Sequence, residues 1–151
     1  MIKRIKHMAV AVSDVDSAAQ TYERRLGITI PKRVEWEQGR SKEAHFDLGE
    51  VEIQLCESTD PAGRFAEHVR RFGEGVQHVC LEVDDIEQAI ADAVRDGATL
   101  KECKACAKVG PHPHSEGFVA FLEGQAVPGF EIEFMQVYEE GQRPADYATG
   151  V

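Results

Sequence analysis

The chain has 151 residues, of which 42% are hydrophobic and 29% are charged, a balance typical of a globular domain. Its formal net charge of −10 argues against nucleic-acid binding, because that affinity comes from phosphate neutralisation by Lys and Arg. No apolar run approaches the roughly 20 residues that span a bilayer, and the N-terminal segment lacks the pattern of a secretory signal, so we expect a cytoplasmic protein with no membrane partner.

The first part of the chain, residues 5–57, predicts a strand, a helix and three further strands. Residues 5–12 alternate between two faces, and the helix that follows is predicted to begin at an N-cap offered by Ser13 or Asp14 and to end at Gly27. A weaker strand over residues 28–36 precedes two alternating strands over residues 43–48 and 51–57. The polar faces of these strands carry, in chain order, His7, Glu43, His45 and Gln54.

Residues 58–75 predict a connector helix, which starts at Asp60-Pro61 and stops at Gly73. Residues 76–137 then repeat the first plan, with a helix capped by Asp85. The first strand predicted here carries His78. Three further strands are predicted over residues 100–106, 118–122 and 130–137, with a loop over residues 108–117. Their polar faces carry His78 and Glu133, and a polar tail over residues 138–151 is expected to be loosely held.

The two parts are copies of one unit. His7 and His78 stand 71 residues apart, and the same offset pairs Val12 with Val83 and Asp14 with Asp85. This repeat predicts an α+β fold in which two βαβββ modules form a curved mixed sheet around a polar cleft, within a single domain over residues 1–151.

The repeat also predicts a metal site. The first strand of each module supplies a histidine, His7 or His78, and the last strand supplies an oxygen donor, Gln54 or Glu133. One histidine at a strand start is typically structural, but two at symmetric positions, each matched by an oxygen donor, favour ligation. Two imidazoles, an amide and a carboxylate suit a divalent first-row metal with coordination positions left open for substrate.

The four cysteines have two different settings. Cys56 and Cys80 lie in strand-like runs and are interpreted as small core or cleft residues. Cys103 and Cys106 form a Cys-x-x-Cys pair, which is typical of a redox motif or half a zinc site, although no second cysteine pair follows at zinc-ribbon spacing. The loop with His112 and His114 leaves a second metal site open, but we favour a cleft lid or a dimer contact.

The repeat resembles the vicinal-oxygen-chelate superfamily, which includes glyoxalase I and the extradiol dioxygenases, and within it the methylmalonyl-CoA epimerases. The segments that carry the resemblance are IKHMAVAVSDVDSAAQTYERRLGI, the EQG turn at residues 37–39, VEIQLCE, GRFAEHVRRFGEGVQHVCLEVDDI and FLEGQAVPGFEIEF. The resemblance implies metal ligation by His7, Gln54, His78 and Glu133, and a further catalytic carboxylate at Glu43. The chain departs from the epimerase pattern at Gln77, where a second histidine is usual, and in the histidine-rich loop GPHPHSEG.

The resemblance implies metal-dependent epimerisation of methylmalonyl-CoA, or of a related 2-substituted acyl-CoA, through a metal-stabilised enolate. Glu43 and Glu133 would be the acid and the base, one divalent ion (Co, Zn, Ni or Mn) the cofactor, and a homodimer the assembly. Two alternatives stay open, namely a lactoylglutathione lyase of the glyoxalase I type and a non-catalytic ligand-binding protein. Glu43 favours the epimerase, because a glyoxalase needs no second free carboxylate opposite the metal.

Overall fold

The computed structural model describes residues 1–124 and 126–145. Within them, the helices are Val15–Leu26 (α1), Arg64–Phe72 (α2) and Ile86–Arg95 (α3). The strands in the same residues are Ile2–Ala11 (β1), Lys32–Trp36 (β2), Ser41–Leu48 (β3), Val51–Ser58 (β4), Gly75–Val83 (β5), Leu100–Lys101 (β6), His112–Pro113 (β7), Gly117–Leu122 (β8) and Glu131–Val137 (β9). In this part of the chain, no helix has the length and apolar character needed to cross a membrane.

The chain divides into two compact units. We call His7–His78 the central unit, and we call Met1–Lys6 together with the described residues from Val79 onward the terminal unit. The boundaries fall inside β1 and β5, so each of these strands contributes residues to both units.

The sheet of the central unit has the strand order β2-β3-β4-β1. β1 lies parallel to β4, and the other two pairs are antiparallel. α1 buries Val15 and Ala19 against apolar residues of β3 and β4 on one face of this sheet. Of the two predicted N-caps, Asp14 begins the helix, where its carboxylate accepts the Ser17 N–H. The helix ends at Gly27, whose φ of 65° is left-handed, as the sequence predicted.

α2 packs on the opposite face of the same sheet, which is the polar face. Its Phe65 is 2% exposed and contacts Ala9, Ala11 and Cys56, the small residues of β1 and β4. Small side chains on the two strands leave room for the aromatic ring, so the predicted connector also forms part of the central core.

The start of α2 differs from the prediction. The helix begins at Arg64 after the N-cap Gly63, not at Asp60-Pro61. The Asp60 carboxylate instead accepts the Ala62 N–H, and the Asp60 carbonyl accepts the Gly63 N–H. The aspartate therefore closes a turn before the helix, because its side chain bonds locally two residues on.

The terminal unit has the strand order β5-β9-β8-β6, and β7 pairs with β8. α3 begins at the predicted cap, where the Asp85 carboxylate accepts the Gln88 N–H. It buries Ile86 and Ile90 against apolar residues of β5, β8 and β9. With α1 and the strands around it, this arrangement gives an α+β fold with a mixed sheet, as predicted.

Two predictions for the terminal unit are wrong. The strand expected over residues 100–106 ends at Lys101, and Cys103 instead forms an isolated bridge with Lys108 that closes a tight turn. The loop expected over residues 108–117 contains the short strand β7.

The predicted tail is held at its first residue. The Tyr138 hydroxyl donates to the His114 carbonyl at 2.6 Å and accepts the His114 N–H at 3.1 Å. Residues 146–151 of the predicted tail lie outside the described residues.

Candidate metal and acid-base site

The two symmetric histidines meet in the central unit. His7 on β1 and His78 on β5 are both buried, and their Nε2 atoms lie 3.3 Å apart. The rings are close to perpendicular, with centroids 5.4 Å apart and an interplanar angle of 76°. Residues 71 positions apart in sequence therefore present the same ring nitrogen to one point.

Gln77 fixes which nitrogen of His78 is available. The His78 Nδ1 lies 2.6 Å from the Gln77 Oε1, which can only accept, so Nδ1 carries the proton. The Nε2 of the neutral ring is then a lone-pair donor that faces His7. Gln77 is itself buried, and the Phe65 ring stacks on the His78 ring at a centroid distance of 6.4 Å, so the imidazole is also held by packing.

Gln54 shares a sheet face with His7. The parallel pairing of β1 with β4 sets His7 beside Glu52 and Ala9 beside Gln54, and residues two apart on a strand project to the same side. The Gln54 Nε2 donates to the Glu52 Oε1 at 2.7 Å. This bond turns the amide nitrogen toward Glu52 and leaves the amide oxygen as the atom able to ligate a cation.

Glu43 lies on that face too, on β3, where it pairs with Cys56 of β4. Its Oε1 accepts the Ser41 hydroxyl at 2.7 Å, and its Oε2 accepts the His45 Nε2–H at 2.7 Å. Burial by itself raises the pKa of Glu43, but the hydrogen bonds from His45 and Ser41 outweigh burial and hold the pKa below its ordinary value. Glu43 is therefore a buried, ionised carboxylate at neutral pH.

Glu133 lies in the terminal unit on β9 and is 4% exposed. In the pairing of β8 with β9 it stands opposite Phe121. Burial and the Glu133 carboxylate raise the pKa of the Cys80 thiol well above its usual value, and burial and Glu43 do the same for Cys56. Both cysteines are buried and free, which confirms the interpretation as small core residues.

Comparison with known proteins decides the family. The model of the Glyoxalase/Bleomycin resistance protein/Dioxygenase superfamily matches residues 6–118. The chain belongs to this superfamily. The match runs from β1 into β8, so it includes both copies of the strand-helix repeat.

The proteins to which this chain is similar include enzymes of two activities. The mitochondrial methylmalonyl-CoA epimerase of Bos taurus is 30% identical over 141 residues, which cover 88% of this chain and 74% of that protein. A lactoylglutathione lyase of Neisseria meningitidis is 25% identical over 134 residues, covering 88% of this chain and 90% of that protein. In fold, the chain resembles the Streptomyces coelicolor methylmalonyl-CoA epimerase in complex with 2-nitronate-propionyl-CoA, with a TM-score of 0.76, 20% identity, and coverage of 92% of this chain and all of that chain.

The superfamily's expected cation fits the residues of the central unit. Two nitrogens at about 2.0–2.1 Å from one tetrahedral ion stand about 3.4 Å apart, and the His7 and His78 Nε2 atoms are 3.3 Å apart. A metal-bound histidine usually donates its other N–H to an oxygen, which is how Gln77 holds His78. Gln77 occupies the position where the resemblance implies a second histidine, and here it is a hydrogen-bond partner of His78.

The sequence analysis missed how Glu43 is held. It placed His45 on the polar face without a role, and it did not single out Ser41. The alternation Ser41, Glu43, His45 was the available signal, since residues two apart on a strand share a face. Alternation does not reveal whether the three side chains bond to one another or to solvent.

Proposed function

We propose that this protein epimerises methylmalonyl-CoA, or a closely related 2-substituted acyl-CoA. The observation that carries the proposal is Glu43, a buried and ionised carboxylate on the same sheet face as His7 and Gln54. A lyase that isomerises a hemithioacetal has no need for this carboxylate beside its metal ligands. Epimerases are among the proteins to which the chain is similar, including the bovine enzyme at 30% identity.

We propose His7, Gln54, His78 and Glu133 as the ligands of one divalent ion, which could be Co, Zn, Ni or Mn. The 3.3 Å approach of the two imidazoles supports His7 and His78 as ligands. Glu133 enters the set through the resemblance and its burial on β9. When bound, such an ion supplies a Lewis acid that stabilises negative charge as it develops on the substrate's oxygens.

Glu43 and Glu133 are the proposed acid-base pair. One carboxylate takes the proton from the carbon between the thioester and the carboxylate of the substrate, and the other, in its protonated form, returns a proton to the opposite face. The configuration at that carbon is inverted and no net proton is consumed. Ser41 and His45 position Glu43, because each holds one of its two oxygens.

The test compares the two activities found among the relatives. The metal-loaded protein is assayed with (2R)- and (2S)-methylmalonyl-CoA, and separately with the hemithioacetal of methylglyoxal and glutathione. We expect interconversion of the two acyl-CoA enantiomers and negligible turnover of the hemithioacetal. Efficient hemithioacetal turnover without epimerisation would favour the lyase, and turnover of neither substrate would favour a binding protein. The homodimer and the cytoplasmic location expected from the sequence stay predictions.

A further inference from the structure

A second group of metal-binding side chains lies wholly within the terminal unit. It consists of Cys103, Cys106, His112 and His114, and its four candidate ligand atoms all lie within 4.8 Å of one another. Half a zinc site was one of the two alternatives that the sequence left open for the Cys-x-x-Cys pair. The two histidines that follow supply the other half, although they do not form the second cysteine pair of a zinc ribbon.

The distances approach those of a tetrahedral ion. The Cys103 Sγ and the His114 Nε2 lie 3.9 Å apart. With Zn–S bonds of about 2.3 Å and Zn–N bonds of about 2.0–2.1 Å, a sulfur and a nitrogen on one tetrahedral ion stand about 3.6 Å apart. A contraction of a few tenths of an ångström would therefore bring this pair to ligating distance.

His112 points a buried nitrogen into the group. Its side chain is 3% exposed, and its Nδ1 lies 2.8 Å from the Gly110 carbonyl, to which it must donate. The neutral ring then has a lone pair on the buried Nε2, which makes no hydrogen bond of ordinary geometry among the described residues and interacts with the Cys103 sulfur. A buried acceptor without a donor is costly, and a cation would satisfy it.

The backbone holds the four residues in place. The Ala107 N–H donates to the Cys103 carbonyl at 2.7 Å and the Cys103 N–H donates to the Lys108 carbonyl at 2.8 Å, so the two cysteines stand on one tight turn. Ala107 has a φ of 51°, a left-handed conformation that is uncommon for a residue with a Cβ. On the other side, β7 pairs with β8, and the Tyr138 hydroxyl bonds both backbone groups of His114.

The surroundings are those of a structural site. Cys103 packs with Cys80, Val119, Phe121 and Met135, and the His112 ring lies 6.3 Å from the Phe121 ring. Two thiolates balance the charge of a divalent ion, which lowers the cost of burying it among apolar side chains. Four protein ligands leave no position open for a substrate, and that is the difference between a structural and a catalytic zinc site.

We propose that Cys103, Cys106, His112 and His114 bind a structural zinc ion that is separate from the proposed catalytic cation. The ion would fix residues 103–114 against the face of the terminal sheet that carries Phe121. Glu133 stands opposite Phe121 in the pairing of β8 with β9, so the zinc loop would shield the strand that presents this carboxylate. The zinc site does not depend on the epimerase activity.

Cobalt substitution tests the site without counting total metal. The reduced full chain is stripped of metal and titrated with Co²⁺, whose thiolate-to-cobalt charge-transfer band and intense tetrahedral d–d bands appear only where cysteine sulfur ligates. We expect these bands in the wild type at about one equivalent. They should be lost in Cys103→Ser and Cys106→Ser, and they should persist in Cys56→Ser, which changes a buried cysteine outside the group.

Elemental analysis separates the two proposed ions. His112→Ala should retain about one equivalent of zinc less than the wild type, whereas His68→Ala, a change to a histidine outside either group, should retain the wild-type content. His78→Ala should keep the thiolate-to-cobalt bands, because it affects only the proposed catalytic ion. Absence of thiolate-to-cobalt bands in the reduced, metal-loaded wild type would overturn the zinc site, whatever the variants do. Bands that persist when both Cys103 and Cys106 are replaced by serine would overturn it as well.

Discussion

Two neighbours on the same strand stabilise the ionised form of Glu43. The Ser41 hydroxyl and the His45 imidazole each donate to one carboxylate oxygen, and together they lower a pKa that burial alone would raise. A base with both oxygens held is also fixed in direction. The acid-base role proposed for Glu43 therefore depends on His45 as a positioning residue.

Replacement of His45 should shift the pH dependence of the reaction. His45→Leu removes the donor to Oε2, so the pKa of Glu43 rises and the acidic limb of the kcat/KM profile moves to higher pH. His45→Gln places an amide N–H near the position of the lost Nε2 and should restore much of the wild-type profile. An unchanged acidic limb in His45→Leu would separate this histidine from the charge of Glu43.

The same pKa shift predicts a dependence of stability on pH. Because the pKa of Glu43 is lowered in the folded protein, its ionised form stabilises the fold at pH values above the ordinary glutamate pKa. That contribution is lost as the pH falls through the lowered value. The free energy of unfolding of the wild type, relative to Glu43→Gln, should therefore decline in the acidic range. A difference that stays constant across that range would contradict the assigned shift.

Gln77 should matter for metal affinity and little for the fold. Gln77→Leu removes the acceptor that holds His78 Nδ1–H, and loss of such an outer partner typically weakens metal binding about 10–100-fold. Gln77→Glu keeps an oxygen acceptor at the same place and should bind metal at least as tightly as the wild type. Chelator competition measures both, and equal affinities in the two variants would show that Gln77 does not orient the ligand.

At the scale of elements, the connector helix α2 packs against the strands and the histidine of the proposed metal site. Phe65 fills the space above Ala9, Ala11 and Cys56, and it stacks on His78. Phe72, at the other end of the same helix, is 63% exposed. The helix therefore offers a matched pair of phenylalanines, of which one is a core residue and the other a surface residue.

Phe65→Ala should destabilise the protein by about 3–5 kcal/mol, the typical cost of a buried phenylalanine. Phe72→Ala should change the free energy of unfolding by less than about 1 kcal/mol, because the side chain is already largely in water. Denaturant unfolding of the two variants measures the difference. Similar values for both would mean that α2 does not pack on the polar face of the central sheet.

The caps of α1 and α3 could be predicted from the sequence, whereas the choice between competing local hydrogen bonds at Asp60 and Cys103 could not. Asp14 and Asp85 cap α1 and α3 as expected, because each cap bonds within its own helix. Asp60 has the same residue type but bonds within a turn, so the predicted start of α2 was wrong. The strand expected over residues 100–106 was wrong too, because the Cys103 N–H pairs with the Lys108 carbonyl instead of continuing the ladder.

The candidate site residues also divide into those that the sequence could identify and those that it could not. His7 and His78 could be found because an internal repeat marks equivalent positions without any knowledge of contacts. In the structure their Nε2 atoms lie 3.3 Å apart. The roles of Ser41, His45 and Gln77 depend on side-chain directions within the sheet, and alternation alone does not determine those directions.

For the whole molecule, the match to the family model shows the superfamily and leaves the reaction open. Relatives at 25–30% identity include both an epimerase and a lyase. Glu43 is the residue on which the proposed choice of the epimerase depends. The central claim is that it exchanges protons with the α-carbon of an acyl-CoA.

Proton exchange in deuterated water tests that claim most directly. (2R)- and (2S)-methylmalonyl-CoA are incubated separately with wild type, Glu43→Gln and the exposed-site control Glu35→Gln, and both deuterium at the α-carbon and inversion are followed. We predict inversion with deuterium uptake for wild type and control. Glu43→Gln should invert about 10²–10⁴-fold more slowly, while it still exchanges the α-proton of one enantiomer through the remaining carboxylate. Inversion by Glu43→Gln at the wild-type rate would contradict the account.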